Sequence, residues 1–375
     1  MAMSDKAEVS HHDSRNGSVS EAGPAGQKSK GSKRHCKRFW WIYLALLVVI
    51  VVIVVPCIIL VAVPKMAQSR LDNASLNIDS VVISQVQKDS FNMAINSTVL
   101  ADNSVHATIR AFDGTMSLLP NKDGAAPVAF AKFQFPEIAT SAAVVVNISQ
   151  KVAVGDTNSL VAFNEALLSQ ESVHVRVEGD THIRVSGIAR DYPVTFRKDV
   201  ELKAFNGFAG LSVSNISVTL ASFNNFNGTT RIPNPTVFTF ELVSIHALSI
   251  LMRSTDVLFF FYQQGNTTWN NYLDGGANVG TAYIDNLAMR PGNNDFFIWA
   301  DIAQMPVLAA LGKKPVCESP QGDLTFELSG KTVENNGQSI PWLATALSAH
   351  NASITMPVGA AVAKALNASV PCSNN

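Results

Sequence analysis

The sequence predicts a mainly β protein carried behind one N-terminal transmembrane helix. The β part reads as two tandem antiparallel β-sandwich domains with a few short helices. Three observations carry this reading. Residues 39–63, FWWIYLALLVVIVVIVVPCIILVAV, hold no charge. Beyond them, several stretches alternate apolar and polar residues with period two, the repeat of a half-buried strand. Those stretches are short and are separated by Gly, Asn, Asp and Pro, as in β-sandwiches.

As a helix, the apolar run covers ~37 Å at about 1.5 Å per residue, more than the roughly 30 Å of a bilayer core. A cleaved signal peptide would have an apolar core of about 7–15 residues close to its start. This run is longer and follows a polar tail, so a retained signal anchor is expected. Phe39, Trp40, Trp41 and Tyr43 form an aromatic belt at one end. Lys28, Lys30, Lys33, Arg34, Lys37 and Arg38 precede the run, and only Lys65 and Arg70 follow nearby. Positive charge stays inside, which places the N-terminus in the cytosol and residues from about 64 in the lumen or outside the cell. Pro56 is tolerable in a membrane helix, with a kink expected there.

Residues 1–38 are rich in Ser, Gly, Lys and Ala. Such a segment buries too little apolar surface to offset chain entropy and is expected to be a disordered basic cytosolic tail. Its basic run sets topology and also feels anionic lipid, at about 1 kcal/mol per charge. Cys36 is a candidate for S-palmitoylation. Cys57, inside the span, reads as a small apolar residue.

The remainder is long enough for two ordinary domains. Asn-x-Ser/Thr acceptors stand at Asn73, Asn96, Asn147, Asn215, Asn227, Asn266, Asn351 and Asn367, all on the expected outer side. Cys317 and Cys372 are the outer cysteines. In an oxidising compartment they pair most simply with each other, the alternative being two free thiols. The chain has 28 basic and 29 acidic residues and no large single-sign block in the outer part, which argues against nucleic acid as a partner.

Val173, Val175 and Val177 alternate with His174, Arg176 and Glu178, and Ile183 and Val185 with His182 and Arg184. With Gly179-Asp180 between them, the two runs read as a β-hairpin. Further strands are expected at 140–154, 211–223, 236–250, 256–262 and 295–303, and helices at 159–170, 341–349 and 358–368. Segments 87–119 and 221–251 can be aligned as an internal repeat. Pro233 and Pro235 exclude a central strand, so residues 231–234 read as an edge or a turn. The division is about 71–205 and 206–345, with 346–375 a C-terminal tail tied back by the disulfide.

Two segments, SFNMAINSTVLADNSVHATIRAFDGTMSLL (90–119) and IPNPTVFTFELVSI (232–245), resemble the fungal domain of unknown function 3712. That family is distantly similar to late-embryogenesis-abundant type 2 (WHy-like) domains. The resemblance covers roughly residues 39–260. It implies a seven-stranded antiparallel sandwich in each domain, an Asn-Pro pair before a strand as at Asn234-Pro235, no catalytic residues, and a vacuolar or cell-surface membrane. The first segment has Asn96-Ser97 in the Asn-Pro place, a partial match.

No motif for chemistry stands out. The sequence lacks His-Glu-x-x-His, Cys-x-x-Cys and Gly-x-Ser-x-Gly. His174 and His182 would meet across their hairpin, but two ligands without a third make a poor metal site. No cofactor or metal is expected. The run 257–262 is apolar on both faces, which normally means burial between layers. The sharper reading is a lipid groove with Phe259 and Phe261 on one wall and Phe297 and Trp299 on the other. The sequence therefore points to a non-enzymatic single-pass membrane protein whose outer domains bind a protein or lipid partner. The alternative is a lipid-binding or lipid-transfer module using an apolar groove. A glycan-processing enzyme of the secretory pathway fits less well, since the β-rich pattern lacks an Asp-x-Asp motif.

Overall fold

The structure is a computed structural model that describes residues 32–101, 106–120, 125–242, 244–247, 260–263, 265–273, 276, 278–368 and 370–372. The expectation for the tail falls largely outside these residues. The chain forms two units, Met1–Leu60 and Val61–Asn375.

Helix α1 (Ser32–Cys57) carries the apolar run as far as Cys57. Pro56 lies within α1, and a π-helical turn follows at Ile58–Ala62. Helix α2 (Val63–Asn73) then continues beyond the last residue of the run. Trp40–Asn73 is long and apolar enough to cross a membrane, with mean hydropathy 3.7 in its most apolar window and none of that window buried. Among the described residues it is the one such helix, a candidate membrane anchor.

The second unit continues with β1 (Ser75–Ser84), β2 (Ser90–Leu100), β3 (Ala107–Ile109), β4 (Phe112–Leu119), β5 (Val128–Phe135), β6 (Ile138–Ala139), β7 (Ala143–Ala153), α3 (Thr157–Ser169), β8 (Ser172–Val185) and β9 (Asp191–Lys203). There follow β10 (Ser212–Val218), β11 (Phe226–Asn234), β12 (Phe238–Glu241), β13 (Ser244–Ala247), β14 (Phe260–Gln263), β15 (Asn266–Leu273), β16 (Asn278–Asp285), β17 (Ala288–Met289) and β18 (Gly292–Ile302). The last stretch holds α4 (Gln304–Leu311), β19 (Leu324–Asn335), β20 (Gln338–Ser339), α5 (Pro341–Ser348), β21 (Ala352–Met356) and α6 (Val358–Leu366). The unit is mainly β, as predicted.

One sheet has the order β17-β12-β1-β2-β7, and a second the order β5-β4-β8-β3-β6 with β9 on the other edge of β8. β5 and β6 lie beside β7, and β9 beside β1, so the two sheets meet in a sandwich-like arrangement. Val81, Met93, Phe133, Val175 and Phe196 are buried in its core. A third sheet, β10-β11-β18-β16-β15-β19-β20 with β21 on β19, curls until β10 lies beside β21. β13 and β14 form a separate pair.

The chain boundary at 205/206 does not separate these sheets. β12 and β17 come from the second half of the chain and join the sheet that β1 begins, β12 running parallel to β1 with Val82 opposite Thr239. The crossing is built by buried polar groups. Asn234 and Thr236 are 2% and 3% exposed. Asn234 Oδ1 accepts from the Thr236 backbone N–H (3.0 Å) and hydroxyl (2.7 Å), and its Nδ2 donates to the Phe238 carbonyl (2.8 Å). Thr236 Oγ1 in turn accepts from the Phe238 N–H (2.9 Å). Pro235 offers no donor, and the side chains supply what a ladder would have supplied. Pro233 pairs with Asn293 of β18, beyond Arg231, the last residue of β11 to pair with β10, so no ladder partner is lost.

The expected hairpin at Gly179-Asp180 does not form. β8 runs straight through it, and Ile183 of β8 pairs with Tyr192 of β9 across a later turn. Gly179 serves a different need: a Cβ there would lie 2.6 Å from the Asp113 carbonyl oxygen and 2.7 Å from the Phe112 ring. The residue admits the close approach of β4, where β8 changes neighbour from β4 to β3.

Candidate functional site

Helix α2 presents Val63, Met66, Ala67, Arg70 and Leu71 at the three- and four-residue steps that share one helix face, and Ala74 follows just beyond its end. That face closes a cavity of about 230 Å³. The opposite wall comes from both sheets of the sandwich: Val99 and Ala101, Ala107 and Ile109, Ile138, Val144, Ile183 and Val185, with Ile188 beyond. Two of the polar side chains in the lining already have backbone partners. Thr140 Oγ1 accepts from the Ala107 N–H (2.9 Å) and donates to the Ala107 carbonyl (3.0 Å), and Ser141 Oγ donates to the Ala143 carbonyl (2.8 Å).

The helix is fixed to the sheet by polar contacts. Gln68 Nε2 donates to the Thr195 carbonyl and Gln68 Oε1 accepts from the Thr195 N–H, both at 3.0 Å. This satisfies the outer edge of β9 as another strand would. Lys198, 8% exposed, reaches the helix C-terminus and donates to the carbonyls of Leu71 (2.6 Å) and Asp72 (2.9 Å). A cation is favoured there by the helix dipole, although burial pushes the Lys198 amine down from its ordinary range.

A second, smaller cavity of about 70 Å³ lies inside the curled sheet, lined by Val213, Phe226, Ile298, Ala300, Phe326 and Val362 among others. Residues of α4 and α6 complete its wall. The Cys317–Cys372 disulfide joins the segments that follow these two helices, with the Cα atoms 5.3 Å apart.

Of the residues expected to line a groove, Phe297 and Trp299 lie on the outer face of the third sheet. Phe297 is 62% exposed on the outer face of β18. Trp299, on the same face, stacks on Tyr283 at 3.9 Å. The cavity takes the opposite parity, Ile298, Ala300 and Ile302, because successive side chains of a strand point to opposite faces. Phe259 lies outside the described residues. Phe261 lies in β14, opposite His246 in register. His174 and His182 both belong to β8 and do not face each other across strands; eight residues at about 3.3 Å each put them ~26 Å apart. Among the described residues no three metal-ligating side chains cluster.

Asn73, Asn96, Asn147, Asn215, Asn351 and Asn367 are exposed, and Asn227 and Asn266 half-buried. Asn96 and Asn147 lie directly opposite each other on β2 and β7. Cys36 lies within α1. The polar face of the second sheet carries cross-strand ion pairs. Arg176 holds Asp199 at 2.7 and 2.8 Å, and Arg197 holds Glu178 at 3.0 and 2.8 Å. Each arginine's hydrogen bond keeps its partner carboxyl below the ordinary range. Arg184 does the same for Asp191.

Residues 128–247 match a protein family described as "Protein of unknown function (DUF3712)". The match contains the Asn234–Thr236 crossing but not segment 90–119. No curated protein matches the chain. Among solved structures, a protein from Archaeoglobus fulgidus is 13% identical, covers 34% of this chain and 98% of its own, and has a TM-score of 0.21. The ligand binding region of Serine-glutamate repeat protein A of Enterococcus faecium is 11% identical, over 33% of this chain and 89% of that one, at a TM-score of 0.16. The CupB6 tip adhesin from Pseudomonas aeruginosa is 10% identical, over 72% and 96%, at 0.18. Scores this low carry no argument about function. The similarity to the DUF3712 family thus lies in residues 128–247, about a third of the chain.

Proposed function

We propose that this is a non-enzymatic single-pass membrane protein that binds the acyl or other apolar part of a lipid in the cavity beneath α2. In this reading the N-terminus is cytosolic. The β-rich unit lies in the lumen or outside the cell, at a vacuolar or cell-surface membrane. One observation carries the reading: an apolar cavity of about 230 Å³ whose wall begins at Val63, the last residue of the apolar run. An engineered apolar cavity of about 150 Å³ stays dry and binds benzene. A larger void with the polar groups of Thr140 and Ser141 already occupied favours an apolar guest over water. The wider resemblance to late-embryogenesis-abundant type 2 domains agrees with a β-rich module lacking catalytic groups. The test is to purify the full chain, exchange it through a lipid-free detergent, extract it and measure lipid by mass spectrometry. Lipid near one per chain supports the proposal. A folded, monodisperse sample that loses all lipid argues for a surface partner instead.

A further inference from the structure

The outer face of the curled sheet holds an arrangement that the lipid reading does not use. Strand order there is β11-β18-β16. Trp299 of β18 stacks nearly parallel on Tyr283 of β16, with an interplanar angle of 13°. Its indole N–H donates to Asp285 Oδ2 at 3.3 Å, which holds the ring in place. The other indole face is therefore turned away from β16, toward β11. The residue of β11 in register with Trp299 is Asn227, and directly opposed residues have Cβ atoms about 4.5–5.5 Å apart on the same face. Asn227 begins the acceptor Asn227-Gly228-Thr229, and Thr229 stands opposite the exposed Phe297.

We propose that Asn227 carries an N-linked glycan whose first sugar packs on the indole face of Trp299 turned away from Tyr283. The proposal rests on the reading that the β-rich unit faces the lumen. There the Asn227 side-chain nitrogen attacks the anomeric carbon of a lipid-linked oligosaccharide. A C–N bond forms, the bond to the polyprenyl pyrophosphate breaks, and the amide loses one proton. The pyranose then lays its face of C–H groups against the indole. An aromatic ring offers a large, rigid apolar surface for such a contact. The free face of the half-buried Trp299, next to the exposed Phe297, is thereby covered from within the same chain.

The full chain, made in a glycosylating eukaryotic host, tests this by glycopeptide mass spectrometry and hydroxyl-radical footprinting. The expected result is an occupied Asn227, with Trp299 oxidised several-fold more slowly in the wild type than in Asn227→Gln or Thr229→Ala. Trp269 and Trp342, both buried, report that each variant is folded. Enzymatic removal of the glycan from the folded wild type makes the same comparison without a substitution. An unmodified Asn227 beside other occupied acceptors overturns the proposal and leaves the topology standing. A protein with no occupied acceptor overturns the topology as well. An occupied Asn227 with equal oxidation rates overturns the packing.

Discussion

Filling the cavity beneath α2 should abolish lipid binding without unfolding the protein. Ala67 and Ala101 face each other's side of the void, one from α2 and one from the chain just beyond β2. At roughly 30 Å³ per methylene-sized group, the value for a water in the liquid, a cavity of about 230 Å³ holds about eight such groups. Ala67→Leu with Ala101→Leu adds six carbons and leaves room for about two. Each buried methylene is worth about 0.8 kcal/mol. A guest excluded from six positions therefore loses about 5 kcal/mol, or about three powers of ten in affinity. The assay is photo-crosslinking of the full chain in nanodiscs doped with a lipid bearing a diazirine on its acyl chain, with labelled peptides mapped by mass spectrometry. Labels should fall on Val99, Ala101, Ala107 and Ile109, on 138–144 and on 183–188, and drop at least tenfold in the double variant, which should melt no lower than the wild type. Labelling unchanged in a folded double variant would refute the assignment.

Three other perturbations test the architecture. Asn234→Ala strands the buried Thr236 N–H and Phe238 carbonyl, at about 1–3 kcal/mol each. With an unfolding entropy of about 2.1 cal/mol/K per residue over roughly 300 residues, Tm should fall by about 3–10 °C; a fall under 1 °C would show that the crossing does not depend on these bonds. A fragment beginning at Ser75 removes α2, leaving Thr195 without Gln68 and Lys198 without the helix carbonyls. By differential scanning calorimetry it should melt well below a fragment beginning at Val63, and equal melting would mean that α2 is only a linker. Acid should destabilise the ion-paired face. The folded pKa values of Asp199 and Glu178 lie below their ordinary 3.8 and 4.5, so their contribution is complete above those values and is lost as pH falls through the depressed ones. Tm should hold between pH 7 and about pH 5 and fall below about pH 4, less steeply in Arg176→Met; an unchanged acid limb in that variant would exclude the pair as a contributor.

Much of the secondary structure was legible because it rests on local pattern. The strands around Val146, Val175 and Ile298 follow period two, and α3 starts where Asp156 caps it by accepting from the Asn158 N–H. Helix α4 was not foreseen, since its short sequence QMPVLAAL is apolar all round and shows no periodic face. The larger misses are non-local. Gly179 looks like a turn signal until Phe112 is placed beside it. Asn96 and Asn234 look like equivalent positions in a repeat, yet Asn96 is exposed in mid-strand while Asn234 is buried at a crossing between sheets. Nothing in the order of the residues says that β12 leaves the second half of the chain to pair with β1. Phe297 and Trp299 lie on the outer face of their sheet, which the pattern alone does not disclose, because parity tells which residues share a side but not which side is inward. The face of α2 was readable in principle from the spacing of Val63, Met66, Ala67, Leu71 and Ala74. A boundary drawn at the end of the apolar run cut that pattern in two.

The composition of the cavity wall explains why the void exists. Protein cores pack to the density of organic crystals, and a gap survives only where the side chains around it are too short to meet. Ala67 on α2 and Ala74 just after it line the cavity with Ala101 and Ala107 of the opposite wall, so four alanines stand where a closed core would carry longer residues. Using about 24 cal/mol per Å³ for an unfilled cavity, a void of about 230 Å³ corresponds to about 5 kcal/mol of packing not made. The methylene count, about eight groups at about 0.8 kcal/mol each, gives about 6 kcal/mol for an apolar guest. The two estimates start from different quantities, one from the stability lost around a hole and the other from transfer out of water, and they agree. An apolar guest that filled the space would thus recover roughly the stability that the small residues leave unrealised. Binding and folding of the sandwich would then be coupled through α2, which the lipid would hold against the sheets from the inside as Gln68 and Lys198 hold it from the edge.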